Sequence, residues 1–127
     1  MATKEEIFSA VQDVLVDSLA VDADEVTPDA TLLDDLGAES IDLLEIVFSL
    51  EKKFEIKIDR SELIPEDIFT DAQYVVDGRL TPAGLSIIAD RLPNANMEVL
   101  EQNPMVQNVA KVLTVQSVCD LVEKKLQ

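Results

Sequence analysis

The chain has 127 residues, 47% of them apolar, with 10 Lys and Arg against 26 Asp and Glu, no His, one Cys, three Gly, four Phe and one Tyr. That is one domain's length with enough Leu, Val and Ile for a core, and too few aromatics and glycines for a β-sandwich or barrel, so an all-α fold is expected. A formal charge of −16 repels phosphate backbones and anionic headgroups, which excludes nucleic acid and membrane surfaces as partners, and the absence of His removes imidazole-based hydrolysis and any Cys/His metal cluster.

No apolar run approaches the ~18 to 20 residues needed to cross a bilayer. The opening Met1-Ala-Thr-Lys-Glu-Glu lacks the basic-then-apolar plan of a signal peptide, so a cytoplasmic location without membrane insertion is expected. A first helix is predicted from Thr3 to Leu19. Thr3 and Glu6 form a capping box, and Ile7, Val11, Val14, Leu15 and Ser18 lie on one face. Residues 20–37 carry Asp22, Asp24, Pro28, Asp29 and Gly37 around Leu32 and Leu33, and read as a long loop pinned by a few apolar side chains. Loops of this length within a domain usually have a task. Asp22 and Asp24 have the opening spacing of a calcium loop, but Val26, Thr27 and Leu33 occupy its later positions and the pattern fails.

A second helix starts between residues 38 and 41. Leu43, Ile46, Val47, Leu50 and Phe54 form its core stripe, Asp42, Glu45, Ser49 and Lys52 face outward, and Glu39 and Asp42 complement the positive end of its dipole. A short element of one or two turns is expected among residues 59–69. Tyr74 to Leu80 suits a small hairpin around Asp77-Gly78. Thr81-Pro82 then opens a helix through Leu85, Ile88, Ala89 and Leu92 that stops at Pro93. Another turn or two is expected within 96–101 or 105–113. The last helix runs from Thr114 to about Lys125 with Val115, Val118, Cys119, Val122 and Leu126 inward, and Cys119 reads as a buried structural thiol. Acid is concentrated early: residues 1–69 hold 19 acids and 5 bases, residues 70–127 only 7 and 5. The solvated acidic face suggests a monomer.

The sharpest feature is Ser40, an exposed hydroxyl at a helix start. With no base beside it, it cannot be a hydrolytic nucleophile; it either caps the helix or accepts a phosphodiester whose charge meets the free N–H groups of the first turn. The run Leu32-Leu-Asp-Asp-Leu-Gly-Ala-Glu-Ser-Ile-Asp-Leu-Leu-Glu45 resembles the phosphopantetheine attachment motif of acyl carrier proteins. The likeness extends ungapped from Thr31 to Ile58, and Thr114-Val-Gln-Ser-Val resembles the start of that family's fourth helix.

The resemblance implies an acyl-carrier-like bundle of three long helices plus a short one. Its core would be residues 1–69 and 114–127, with a partly helical insertion at 70–113, all within a single domain. It implies that Ser40 bears covalent 4′-phosphopantetheine, whose thiol holds acyl intermediates as thioesters in fatty-acid, specialised lipid or polyketide-like biosynthesis. The protein would then be a carrier and not an enzyme. Glu39, Ile41, Asp42, Glu45, Phe48 and Glu51 would meet partners: the phosphopantetheinyl transferase and acyl-processing enzymes such as ketosynthases, acyltransferases, reductases and dehydratases. Leu32, Ile46, Leu50 and Ile58 would line an acyl-chain cleft. Glu39 and Ile41 replace the family's usual Asp and Leu, and Lys52 and Lys53 add positive charge where the family is commonly acidic. Two other readings stand beside this one, a peptidyl carrier and an unmodified acidic adaptor for a basic protein. The insertion would give partner specificity or extend the walls around the acyl chain.

Overall fold

A computed structural model describes residues 2–127, and in it α1 (Lys4–Leu19) opens on the expected box. The Glu6 N–H donates to Thr3 Oγ1 at 3.1 Å and the Thr3 N–H to Glu6 Oε1 at 3.0 Å. Ile7, Val11, Val14 and Leu15 are buried, and Ser18 is half-buried at the edge of the same face. α1 packs along both α2 (Ser40–Phe54) and α6 (Val115–Leu126), which are built on the stripes Leu43, Ile46, Val47, Leu50 and Val115, Val118, Cys119, Val122. α3 (Arg60–Leu63) is a single turn capped by Asp59 and lies against α6. Each fully buried Leu or Ile in these seams contributes about 1.5–3 kcal/mol relative to exposure, which holds elements too short to be helical alone.

A 3₁₀ turn at Glu66–Thr70 leads into β1 (Val75–Val76) and β2 (Arg79–Leu80), antiparallel with Val75 opposite Leu80. Asp77 and Gly78 both have left-handed backbone, φ 52° and 76°, the geometry that a two-residue hairpin turn requires. Thr81 caps α4 (Pro82–Arg91), accepting from the Gly84 N–H at 3.1 Å, and Pro82 occupies the first turn where its missing N–H costs nothing. α4 buries Gly84 and Ile88, and Leu92 just past its end, a four-residue spacing that leaves Ala89 outside. Ala89 is exposed. α5 (Glu98–Gln102) and a 3₁₀ segment at Val106–Val112 occupy the two stretches where a turn or two was expected. The buried side chains of residues 70–113 join those of the helical core in one continuous cluster. Among the described residues no helix is long and apolar enough to cross a membrane.

Candidate functional site

Ser40 is held in place by the loop before it, and that loop is fastened at both ends. The Thr31 N–H donates to Asp35 Oδ2 at 2.8 Å and the Asp35 N–H returns to Thr31 Oγ1 at 3.1 Å, closing a tight turn. The Ala38 N–H then donates to the Leu32 carbonyl at 2.9 Å, and Gly37 between them has φ 74°, a conformation that costs a residue with a Cβ roughly 1–2 kcal/mol. Across the molecule, the Leu32 N–H donates to the Leu113 carbonyl at 3.0 Å and the Val115 N–H to the Ala30 carbonyl at 2.9 Å. The start of α6 therefore braces the loop that delivers Ser40. Val26, Ala30, Leu32, Leu36 and Ala38 are all buried beneath it. The sequence indicates Leu32 only; the small alanines gave no periodic signal.

Ser40 itself is exposed, the first residue of a 15-residue helix. Its helix is started by Glu39, whose N–H donates to Asp42 Oδ2 at 2.8 Å, so the Asp42 carboxylate is occupied and half-buried. Among the described residues the N–H groups of Ser40 and Ile41 find no protein acceptor. Together with the dipole of α2 they favour an anion attached at this hydroxyl. No group of His, Cys, Asp and Glu able to hold a metal ion occurs among the described residues. The hydroxyl is open to esterification by an external catalyst.

Beyond Ser40 the helix presents a second apolar stripe, outside the core one. Ile41, Leu44 and Phe48 are 74%, 45% and 56% exposed, at the i, i+3, i+7 spacing of one face. Glu39 and Glu45 are exposed around this stripe. Leu44 is absent from the residues expected there, although its spacing from Ile41 and Phe48 marks it. Glu51 is half-buried, and its Oε2 accepts from the Ile58 N–H at 2.9 Å, fixing the chain that follows α2.

Leu44 and Phe48 also flank a cavity of about 150 Å³, lined on one side by Leu43, Val47 and Glu51 of α2 and on the other by Ile58, Arg60, Leu63 and Ile64. Leu44 and Phe48 stand one and two turns past Ser40, about 6 and 12 Å along the axis. Of the four residues expected to line an acyl-chain cleft, Ile58 borders this cavity. Leu32, Ile46 and Leu50 are fully buried in the seams between helices. No residue of 70–113 lines this cavity. Cys119 lies away from it on the inner face of α6, where burial, with the carboxylates of Asp120 and Glu123, pushes its thiol up to about 12, an inert structural group.

Comparison with known proteins agrees with this geometry. Residues 9–66 match the family described as a phosphopantetheine attachment site. The acyl carrier protein of Thermotoga maritima is 46% identical over 63 residues, 50% of this chain and 78% of that protein. The acyl carrier protein of Petrotoga mobilis is 44% identical over 61 residues, 48% of this chain and 72% of that protein. With an attachment-site match around an exposed helix-start serine, and relatives aligned over most of their own length, the chain belongs to the acyl carrier protein family.

Proposed function

We propose that Ser40 is the residue that bears the prosthetic group. A member of this family carries acyl groups as thioesters on covalently attached 4′-phosphopantetheine. The observation that carries the assignment is a solvent-exposed hydroxyl on the first residue of α2, with free N–H groups beside it and an apolar stripe leading from it to a cavity. Ser40 would supply the oxygen of a phosphodiester; the arm would supply the thiol that holds the acyl group. α2 would hold the ester at the surface, and the cavity wall would receive the start of an acyl chain. No chemistry on the acyl group is assigned to this chain's own residues.

We assign docking of the transferase and acyl-processing enzymes to Ile41, Leu44 and Phe48, with the exposed carboxylates of Glu39 and Glu45 meeting basic residues of those enzymes. Asp42 and Glu51 keep structural hydrogen bonds and contribute charge to the same face. We read 70–113 as inserted between α3 and α6 of a single domain, since the family match ends at residue 66 and α6 returns to pack on α1. A cytoplasmic monomer is the state proposed. The test is an acylation assay: after incubation with coenzyme A and a phosphopantetheinyl transferase, the carrier should accept an acyl group that neutral hydroxylamine releases. Ser40→Ala should accept none. An equally labelled Ser40→Ala would overturn the assignment, and a wild-type chain that stays bare would favour the adaptor reading.

A further inference from the structure

α3 and the chain after it as far as Asp67 form a partition with space on both sides. Arg60, Leu63 and Ile64 face the 150 Å³ apolar cavity toward α2. Ser61, Glu62, Pro65 and Asp67 face an open groove of about 590 Å³ whose far wall is the end of α4 and the side of α6. A helix of four residues has no stability of its own, so what holds the partition upright is its tertiary ties. Leu63 packs inward from it, and two ion pairs bridge the groove behind it. Lys125 Nζ of α6 lies 2.7 Å from Glu62 Oε2. Arg91 Nη1, at the end of α4, lies 2.8 and 2.9 Å from the two oxygens of Asp67. Only the second of these reaches from residues 70–113. A third pair, Arg60 to Glu66 at 3.0 Å, lies within the 60–67 segment and ties it to nothing else.

The cavity in front has the volume of one that holds a six-carbon ring, and an acyl chain much beyond about six carbons gains room within it if the partition moves back. The groove supplies the room for that movement, and the Arg91 side chain, held across it by Asp67, stands in the way. We propose that Arg91 is a specificity-determining residue that limits the length of acyl chain this carrier shelters, by bracing the partition between the cavity and the groove. The inserted segment thus acts on the cargo without lining its cavity. This rests on the reading of Ser40 as the point of attachment.

In the experiment a phosphopantetheinyl transferase moves acetyl-, hexanoyl- or decanoyl-phosphopantetheine from the coenzyme A thioester to the Ser40 hydroxyl, releasing adenosine 3′,5′-bisphosphate, and intact mass and melting temperature are read for the wild type, Arg91→Gln, and the charge-exchanged pair Asp67→Arg with Arg91→Asp. Buried methylenes raise the melting temperature and solvated ones do not. In the wild type, hexanoyl should melt several degrees above acetyl, and decanoyl no higher than hexanoyl. In Arg91→Gln, decanoyl should gain a further rise of several degrees, because loss of an exposed pair shifts the opening of the partition by up to about fivefold. The charge-exchanged pair should restore the ceiling, a recovery that general loosening of the fold would not give. Equal chain-length profiles in wild type and Arg91→Gln, with both fully loaded, overturn the brace alone. Absence of added mass on the wild type overturns the attachment reading and the brace with it.

Discussion

Ser40 is chemically an ordinary serine, and what sets it apart is its position. A backbone turn closed by Thr31 and Asp35 and a left-handed Gly37 bring it to the first turn of α2, with its hydroxyl in solvent. Gly84 shows the opposite use of glycine. Its φ is unremarkable, but a Cβ there would overlap the carbonyl oxygen of Tyr74, nearer than side chains approach, with Leu80 Cδ2 at 3.3 Å. Gly84→Ala should therefore force the hairpin and α4 apart and cost about 1–3 kcal/mol, read as a lowered denaturation midpoint; an unchanged midpoint would show that the hairpin shifts freely. Residue by residue, the sequence is most legible where one side chain answers another a few positions away. Thr3 with Glu6, Thr81 with Gly84 and Thr114 with Ser117 all cap as their spacing requires. Leu44 was missed because its stripe serves a surface instead of the core.

Among the elements, α3 and the 3₁₀ turn after it each carry one ion pair to a distant helix, Glu62 to Lys125 and Asp67 to Arg91. The Arg91 guanidinium beside Asp67 holds its carboxyl below the usual range. Burial pushes the Glu62 carboxyl up, but hydrogen bonds from Lys125 and the Asp59 N–H, with the charge of Lys125, outweigh it and leave it lowered. A carboxyl lowered in the folded state stabilises fully above its ordinary value, 3.8 for Asp and 4.5 for Glu, and loses that contribution as pH falls through the lowered one. Both ties of the partition should accordingly weaken in acid. Amide exchange at Ile64, whose N–H donates to the Arg60 carbonyl at 2.9 Å, should speed up from about pH 6 to about pH 3 relative to Ile46 of α2, after correction for intrinsic rates. A constant ratio would mean that packing alone holds α3. The hairpin was readable from Asp77-Gly78, whereas α5 and the 3₁₀ segment after it follow Met97 and Met105. Neither of those residues caps with its side chain, so the boundaries left no local mark.

Over the whole molecule, 26 acids meet 10 bases, and the ion pairs among the described residues engage Asp13, Glu62, Glu66 and Asp67. The remaining carboxylates repel each other more in the folded chain than in the expanded one. Raising salt from about 0.01 M to about 1 M shrinks the screening length from about 30 Å to about 3 Å, so the melting temperature should rise, and millimolar magnesium should act the same way. A flat response would contradict the charge account. The bundle was legible in the 3.6-residue periodicity of α1, α2 and α6, while the way 70–113 joins the core was not. That join rests on contacts such as Leu32 with Leu113 and Asp67 with Arg91, which link residues remote in sequence and leave no pattern within it.

In the proposed function, one hydroxyl anchors the arm. Tryptic digestion of the loaded protein should release a peptide from Glu5 to Lys52 that contains Ser9, Ser18, Ser40 and Ser49, and fragment masses distinguish the four. The account predicts the added mass of 4′-phosphopantetheine on Ser40 alone. The same mass on any other serine, or an unmodified peptide after exhaustive treatment, would contradict it.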